Sequence, residues 1–214
     1  MYIAIEGLKG AGKGMLLKRL PERLREYGLN LQLLCPTQPM PADHPLERLA
    51  RQHPECDAVQ ERLYAARSNY HAERIQPEPR LIIGDRCILT SYATRWHCVP
   101  VGQHRAFIQR VNALEPMIGL PDHVIFLQVP TEKLLDRLQA RAERTYGKKD
   151  ETPERLHETL KAYQALREQA RFLGLGSIVW HEIDADAHPD ITLARVVVRI
   201  LEILQRSGFF QAAA

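Results

Sequence analysis

Long hydrophobic runs are absent from this chain: no apolar stretch approaches the ~20 residues of a membrane-spanning helix. The first residues read as a strand, so we expect neither a signal peptide nor a membrane partner. The four cysteines are scattered and form no Cys-x-x-Cys pair, which favours reduced thiols in a cytoplasmic protein. Charge of one sign is in small excess, with a formal net charge of +3. That balance is compatible with phosphate ligands or nucleic acid and demonstrates neither.

What is present fits a single folded domain. The chain has 214 residues, of which 45% are hydrophobic and 26% are charged. This size and composition are ordinary for one α/β domain with a sizeable core. The sequence contains no internal repeat, low-complexity segment or linker. We therefore expect one domain over residues 1–214.

Short apolar segments alternate with helical patterns along the chain, which predicts a parallel sheet covered by helices on both faces. The first helix is predicted over residues 13–27, where Pro21 should kink it or split it. Ligands of such folds lie at the C-terminal ends of the strands, so Gln38, Asp85 and Arg86 should meet there. The predicted strands are the run beginning at Tyr2 and residues 29–35, 80–86, 124–129 and 177–183.

A glycine-rich loop joins the first predicted strand to the first predicted helix. Residues 7–14, Gly-Leu-Lys-Gly-Ala-Gly-Lys-Gly, follow the phosphate-binding pattern G-x-x-x-x-G-K-[ST] up to its last position. Glycines let consecutive N–H groups converge on a phosphate, the helix adds its positive end, and Lys13 supplies charge for the β- and γ-phosphates. Gly14 replaces the hydroxyl that usually ligates Mg²⁺, so we do not expect this loop to hold the metal unaided. The predicted ATP-binding residues are Gly7, Gly10, Ala11, Gly12, Lys13, Gly14 and Met15.

Further residues suit phosphoryl transfer. Asp85 ends a buried strand, where its carboxylate can hold Mg²⁺ directly or through water, and Arg86 can bridge the phosphates. The basic segment with Arg141 and Arg144 can form a lid that excludes water, although a solvated charged hairpin has the same pattern. Arg67, on a predicted helix, can donate to a base or a phosphate. The predicted catalytic residues are Lys13, Asp85, Arg86, Arg141 and Arg144, and the predicted metal ligand is Asp85.

Together these residues resemble the thymidylate kinase family, over nearly the whole chain and in the same order. Each motif is weak alone, and only the set is specific. The similar motifs are the family's E-G-x-x-G-A-G-K loop, F-x-A-x-R helix and D-R-x-x-x-S-x-x-A segment, its lid and its last strand. In this chain they are residues 5–13, 63–67, 85–93, Pro121 and Asp122, Glu143 and Arg144, and residues 183–185.

The resemblance implies a P-loop NTPase of the nucleoside monophosphate kinase type, with a five-stranded parallel sheet and a lid over residues 141–153. It implies an ATP-dependent phosphotransferase that uses ATP and Mg²⁺, with Asp85 and Arg86 at the transferring phosphates and lid arginines closing over them. Arg67 is expected on the pyrimidine of the acceptor nucleotide. The other implied acceptor-binding residues are Lys9, Gln38, Leu63 and Thr90. The oligomeric state is left open, a homodimer included.

Most departures from the family pattern lie on the acceptor side. The family usually has an acidic residue where Lys9 stands, and T-R-E-P-G where residues 36–40 are Pro-Thr-Gln-Pro-Met. Its base-stacking phenylalanine aligns with Leu63, and an aromatic residue and a glutamine align with Thr94 and Arg95. The ATP side is mostly kept, whereas the contacts for ordinary dTMP have changed.

The sequence leaves three functions open. The first is a kinase for dTMP or a 5-modified relative as a free nucleotide, whose ionised phosphate needs no general base. The second is a phage DNA-modification kinase that phosphorylates 5-hydroxymethyluracil within DNA. Lys9 would suit its 3′-phosphodiester, and Asp85 is the evident base for its hydroxyl. The third is a non-catalytic nucleotide-binding protein, which the retention of Lys13, Asp85 and Arg86 disfavours.

Overall fold

The five strands form one parallel sheet, which confirms the predicted fold class. A computed structural model describes residues 1–53, 57–78, 80–140 and 151–210 of the protein. The strands are β1 (Tyr2–Glu6), β2 (Gln32–Leu34), β3 (Ile82–Asp85), β4 (His123–Gln128) and β5 (Val179–Asp184). Their order is β2-β3-β1-β4-β5, and each neighbouring pair is parallel. The second strand is shorter than the sequence predicted.

Helices connect the strands and cover the sheet. They are α1 (Lys13–Arg25), α2 (Pro45–Gln52), α3 (Asp57–Ala72), α4 (Ile88–Arg95), α5 (His104–Leu114), α6 (Thr131–Gln139), α7 (Pro153–Glu168), α8 (Ala170–Leu173) and α9 (Pro189–Arg206), with a 3₁₀ turn at Trp96–Cys98. Three of these helices begin with proline, whose missing N–H would have no helical partner at that position. Within the described residues, no helix is both long and apolar enough to cross a membrane.

Pro21 does not split the first helix, so that part of the prediction is wrong. α1 runs without a break from Lys13 to Arg25, with Pro21 inside it. A proline in a helix interior removes one backbone hydrogen bond. Three leucines on the buried face, Leu16, Leu20 and Leu24, hold the helix against the core on both sides of the proline, and burial of each is worth about 1.5–3 kcal/mol.

The sheet core places the carboxyl ends of β1 and β3 side by side. Ile3, Ile5 and Ile83 are fully buried, as expected for central strands covered on both faces. In the register of this pair, Ile5 lies opposite Asp85. The loop that follows β1 and the acidic residue that ends β3 therefore open onto the same edge of the sheet.

Candidate active site

The loop at residues 7–14 needs glycine at defined positions. Gly7, Gly10 and Gly12 have φ angles of +146°, +88° and +91°, which favour glycine. A Cβ atom on Gly7 would lie 2.9 Å from the carbonyl oxygen of Leu127 in β4. The tight approach of the loop to β4 therefore requires glycine at position 7.

The ammonium of Lys13 lies inside the curve of this loop. Its Nζ donates to the carbonyl oxygens of Gly7, at 2.5 Å, and Leu8, at 2.9 Å. Lys13 is buried and is the first residue of α1. A fixed positive charge and the helix N-terminus therefore face the same point, which is an arrangement that attracts phosphate.

A cleft of about 730 Å³ opens beside the loop, a volume typical of small-ligand sites. Its walls include the loop, the end of β3, α6 and the start of α9. Of the predicted site residues, it brings together Lys9, Gly10, Ala11, Gly12, Lys13, Gly14, Met15, Asp85 and Arg86. Ala185, Ala187 and Pro189, after β5 and at the start of α9, also line the cleft.

Arg137 is a cleft residue that the sequence analysis did not select. Its guanidinium lies 3.4 Å from the carbonyl oxygens of both Gly10 and Ala185 and 3.6 Å from the carboxylate of Asp186. It therefore ties α6 to the loop and to the residues after β5. The signal available in the sequence was its place four residues before Arg141, a spacing that would put the two arginines on one side of a predicted helix.

Asp85 and Arg86 lie at the end of β3 under opposing influences. Burial raises the pKa of Asp85, and the charges of Arg86 and Lys13 offset only part of that rise. Arg86 has a φ of +73°, the one positive value among the described non-glycine residues, and its N–H donates to Ile5 O at 3.1 Å. Burial lowers the pKa of Arg86, but the negative potential of Tyr163, Glu6 and Asp85 raises it by more than burial lowers it. The net pKa of Arg86 is therefore raised. The strained backbone at this position is typical of a functional site.

Within the part of the chain that the structure describes, Asp85 is the carboxylate that lines the cleft and could hold Mg²⁺, and Gly14 offers no hydroxyl. Among the described residues, no three His, Cys, Asp or Glu side chains gather into a group able to hold a metal. Mg²⁺ commonly takes one or two carboxylates and completes its shell with water and substrate phosphates. The residues present therefore fit a metal held mainly by the nucleotide and by Asp85.

Lys9 is paired with a carboxylate near the end of the predicted lid segment, Glu151. Its Nζ lies 3.8 Å from Glu151 Oε1, and the two side chains are 27% and 11% exposed. The predicted lid residues Arg141 and Arg144 lie outside the described part of the chain. The end of the lid segment at Glu151 nevertheless reaches the loop, through Lys9.

Arg67 forms a buried ion pair with α2. Its Nε and Nη2 donate to the two carboxylate oxygens of Glu47, at 2.6 and 2.7 Å, and Nη1 approaches Thr37 O at 3.5 Å. Burial raises the pKa of Glu47, but the hydrogen bonds from Arg67 and from the N–H of Met40 more than offset it, so the net pKa is lowered. The predicted base-binding arginine is thus fixed by a carboxylate that the sequence analysis did not connect with it.

The other predicted acceptor residues lie in three different environments. Leu63 is 3% exposed and packs with Met40 and Ala50 between α2 and α3. Gln38 is exposed, and its carbonyl oxygen is 3.1 Å from His71 Nε2, in a separate cleft at the edge of the sheet. Thr90 is buried, and its hydroxyl donates to the carboxylate of Glu6. The structure therefore does not gather these residues with Lys9 in one pocket.

Arg95, which aligns with a glutamine of the resembled family, lies in a polar cluster between α3, α4 and α5. Its guanidinium lies 3.9 Å from Glu61 and 3.8 Å from Glu115. Burial lowers the pKa of Arg95, and these two carboxylates offset part of that effect. Burial also raises the pKa of Glu115. The cation at this position is therefore compensated by carboxylates of the protein.

Comparison with known proteins supports one family. A family model described as thymidylate kinase matches residues 5–177. The thymidylate kinase of Mycobacterium tuberculosis strain H37Rv is 28% identical over 204 residues, covering 88% of this chain and 94% of that protein. The thymidylate kinase of Alkalilimnicola ehrlichii is 30% identical over 181 residues, covering 78% and 80%.

A solved structure supports the fold. The structure of deoxyadenosine kinase from M. mycoides with bound dATP superposes with a TM-score of 0.60 at 19% identity, covering 94% of this chain and 99% of that one. At that identity the likeness concerns the fold alone. The family model, by contrast, spans most of the chain and includes the loop, Asp85 and Arg86. The chain belongs to the thymidylate kinase family, a family of ATP-dependent nucleotide kinases.

Proposed function

We propose that the protein transfers the γ-phosphate of ATP to a thymidine-like pyrimidine deoxynucleotide, dTMP or a 5-modified relative. The observation that carries this proposal is the single cleft lined by Lys13, Asp85 and Arg86. A phosphate-binding loop on one side and a carboxylate with an arginine on the other are the parts that phosphoryl transfer needs. Family membership supports a nucleotide acceptor, since the relatives are thymidylate kinases.

The reaction divides into one bond made and one bond broken. An oxygen of the acceptor's phosphate attacks the γ-phosphorus of ATP, and the bond from that phosphorus to the β–γ bridging oxygen breaks, so ADP leaves with the electron pair. Lys13 neutralises charge on the β- and γ-oxygens, and Arg86 stabilises the charge of the phosphoryl group in transfer. Mg²⁺ on Asp85 would supply further positive charge at the β- and γ-phosphates. An acceptor phosphate is already ionised, so no base is required.

The lid arginines belong to the same proposal. Arg141 and Arg144 would close over the phosphates and exclude water, which would otherwise hydrolyse ATP. The contact between Lys9 and Glu151 supports this, because it brings the described end of the predicted lid segment to the loop. Arg67 would act on the base only together with Glu47, which fixes its orientation.

A polynucleotide acceptor is the second candidate, and Lys9 is the observation that favours it. The cleft carries an ammonium at a loop position where the resembled family usually has an acid. An ammonium cannot accept a hydrogen bond from a 3′-hydroxyl but pairs well with a 3′-phosphodiester. In that case the acceptor would be 5-hydroxymethyluracil within DNA.

Radioactive phosphate transfer from ATP tests both candidates in one experiment. The wild-type protein is incubated with [γ-³²P]ATP and Mg²⁺, and with dTMP, with 5-hydroxymethyl-dUMP or with DNA that carries 5-hydroxymethyluracil. Transfer to a free nucleotide and none to DNA supports the main proposal. Transfer to DNA alone overturns it in favour of the second. Transfer to none of the three acceptors contradicts both.

A further inference from the structure

Glu6, the residue directly before the glycine-rich loop, is a fully buried carboxylate that does not line the cleft. It is 0% exposed. Its oxygens accept from the backbone N–H of Cys87 at 2.9 Å, the hydroxyl of Thr90 at 2.9 Å and the hydroxyl of Tyr163 at 2.8 Å, and the thiol of Cys87 lies 3.3 Å away. Burying a carboxylate costs several kcal/mol unless donors compensate it, and here they do. Phosphoryl transfer as described above assigns it no part.

The first consequence of this arrangement concerns Arg86. Its Nη1 approaches the hydroxyl oxygen of Thr90 at 3.4 Å, and that hydroxyl donates to Glu6. The backbone N–H of Arg86 is held at the other end by Ile5, the residue before Glu6. The backbone and the guanidinium of Arg86 are therefore both tied to the end of β1, where the loop begins.

The second consequence concerns α7, the first helix described after residues 141–150. Its Tyr163 is 3% exposed, and the ring packs against Phe126 with the centroids 5.0 Å apart. The hydroxyl of Tyr163 lies 2.8 Å from Glu6 Oε2 and 3.1 Å from Thr90 Oγ1. The carboxylate of Glu6 thus accepts hydrogen bonds both from Thr90, which contacts Arg86, and from Tyr163 of α7.

We propose that Glu6, Thr90 and Tyr163 form a positioning unit that holds Arg86 over the transferring phosphate and fixes α7 relative to it. The inference rests on the role of Arg86 proposed above. It also replaces the expected role of Thr90: this hydroxyl acts through Arg86 and does not bind the acceptor. A misplacement of about 1 Å at a reacting group can cost 10²-fold in rate, so the unit should control the chemical step more than substrate binding.

The test compares two changes at Thr90. Thr90→Val keeps the shape and removes the hydroxyl, whereas Thr90→Ser keeps the hydroxyl. We expect Thr90→Val to lower kcat by about 10- to 100-fold, with KM for ATP and for the acceptor within about two-fold of wild type and melting temperature monitored in parallel. Thr90→Ser should recover most of kcat. A Thr90→Val protein with wild-type kcat, or with a raised acceptor KM and unchanged kcat, would overturn the inference.

A matched pair of tyrosines controls for the loss of a buried hydroxyl. Tyr163→Phe should lower kcat in the same way as Thr90→Val. Tyr92 is buried as deeply, at 0% exposure, but its hydroxyl donates to Asn112 and not to Glu6. Tyr92→Phe should therefore leave kcat unchanged. An equal loss of kcat in both tyrosine variants would overturn the inference, because the effect would then come from general loosening of the core.

Arg86→Ala separates this inference from the proposed function. If Arg86→Ala keeps wild-type kcat, the role of Arg86 in transfer is wrong, and the inference fails with it. If Arg86→Ala lowers kcat by 10²-fold or more while Thr90→Val and Tyr163→Phe keep the kcat of the wild type, the positioning unit alone is refuted. A loss in all three variants, without a loss in Tyr92→Phe, supports both.

Discussion

Reversing the charge of Lys9 separates its ion pair with Glu151 from a contact with the acceptor. In Lys9→Glu, two carboxylates would meet where Nζ and Oε1 now lie 3.8 Å apart. Two unit charges at about 4 Å interact by about 1 kcal/mol in water and about 4 kcal/mol at an effective dielectric of ~20. The side chains are 27% and 11% exposed. We therefore expect the contact between positions 9 and 151 to be weakened by about 1–2 kcal/mol, which corresponds to a factor of about 5–30 in the equilibrium constant for forming that contact.

The assay uses four proteins: wild type, Lys9→Glu, Glu151→Lys and the double variant that exchanges the two charges. Initial rates of phosphate transfer from saturating ATP are measured with dTMP and with DNA that carries 5-hydroxymethyluracil. The exchange restores an ion pair of opposite polarity but keeps a carboxylate at position 9. If the acceptor is a free nucleotide, each single variant should lose no more than about 30-fold with dTMP, and the exchange should restore most of the rate.

The opposite result is equally well defined. If Lys9 contacts a phosphodiester, Lys9→Glu should nearly abolish transfer to DNA, and the exchanged variant should remain inactive because a carboxylate still faces the phosphate. The reasoning from the ion pair would be refuted by a Lys9→Glu protein that is inactive with dTMP and is not rescued by the exchange. Melting temperatures of all four proteins show whether the variants are folded.

Four further changes test the donor side and the stability of the fold. Lys13→Ala should lower kcat by at least about 10²-fold, the scale of a removed electrostatic contact, and unchanged turnover would contradict the proposed role of the loop. Asp85→Asn should weaken Mg²⁺ activation far more than ATP binding in parallel titrations, whereas Gly14→Ser, for which the structure has room, should tighten Mg²⁺ activation. Burial lowers the pKa of His181 from 6.5 to about 4, so the unfolded chain takes up the proton first as the pH falls. The melting temperature should therefore drop between pH 6.5 and pH 4, and it should drop less steeply in His181→Asn than in the wild type.

The sheet and the donor side could be predicted because their signals are local. The glycine spacing of residues 7–14 follows from the backbone angles that the loop adopts, and those angles depend on a few neighbouring residues. Asp85 and Arg86 follow from one rule, that polar residues ending a buried parallel strand lie at the ligand edge of the sheet. Pro21 was wrongly expected to be able to split α1, because tertiary packing of the leucines in that helix outweighs the local preference of proline.

The surroundings of Arg67 and Thr90 could not be predicted because their contacts join distant parts of the chain. Glu47 and Arg67 are 20 residues apart and lie on different helices, and Glu6 and Tyr163 are 157 residues apart. Helical periodicity shows that Leu63 faces an apolar neighbour but not whether that neighbour is a base or the core. Here it is the core cluster between α2 and α3. The sequence therefore showed the motif of residues 63–67 but not what surrounds its side chains.

Carboxylates of the protein lie beside the cations at three positions predicted for the acceptor side. Lys9 pairs with Glu151 at 3.8 Å, Arg67 with Glu47 at 2.6 Å, and Arg95 with Glu115 at 3.8 Å. A free nucleotide that binds such a site through shape complementarity releases few counterions. The KM for dTMP should therefore change by no more than about three-fold between 50 and 200 mM salt. A polynucleotide would have to compete with these carboxylates for the cations, and its affinity should fall with a logarithmic slope of about 0.7–0.9 for each phosphate neutralised. The salt dependence of the acceptor's KM therefore tests whether these cations serve the substrate or hold the fold.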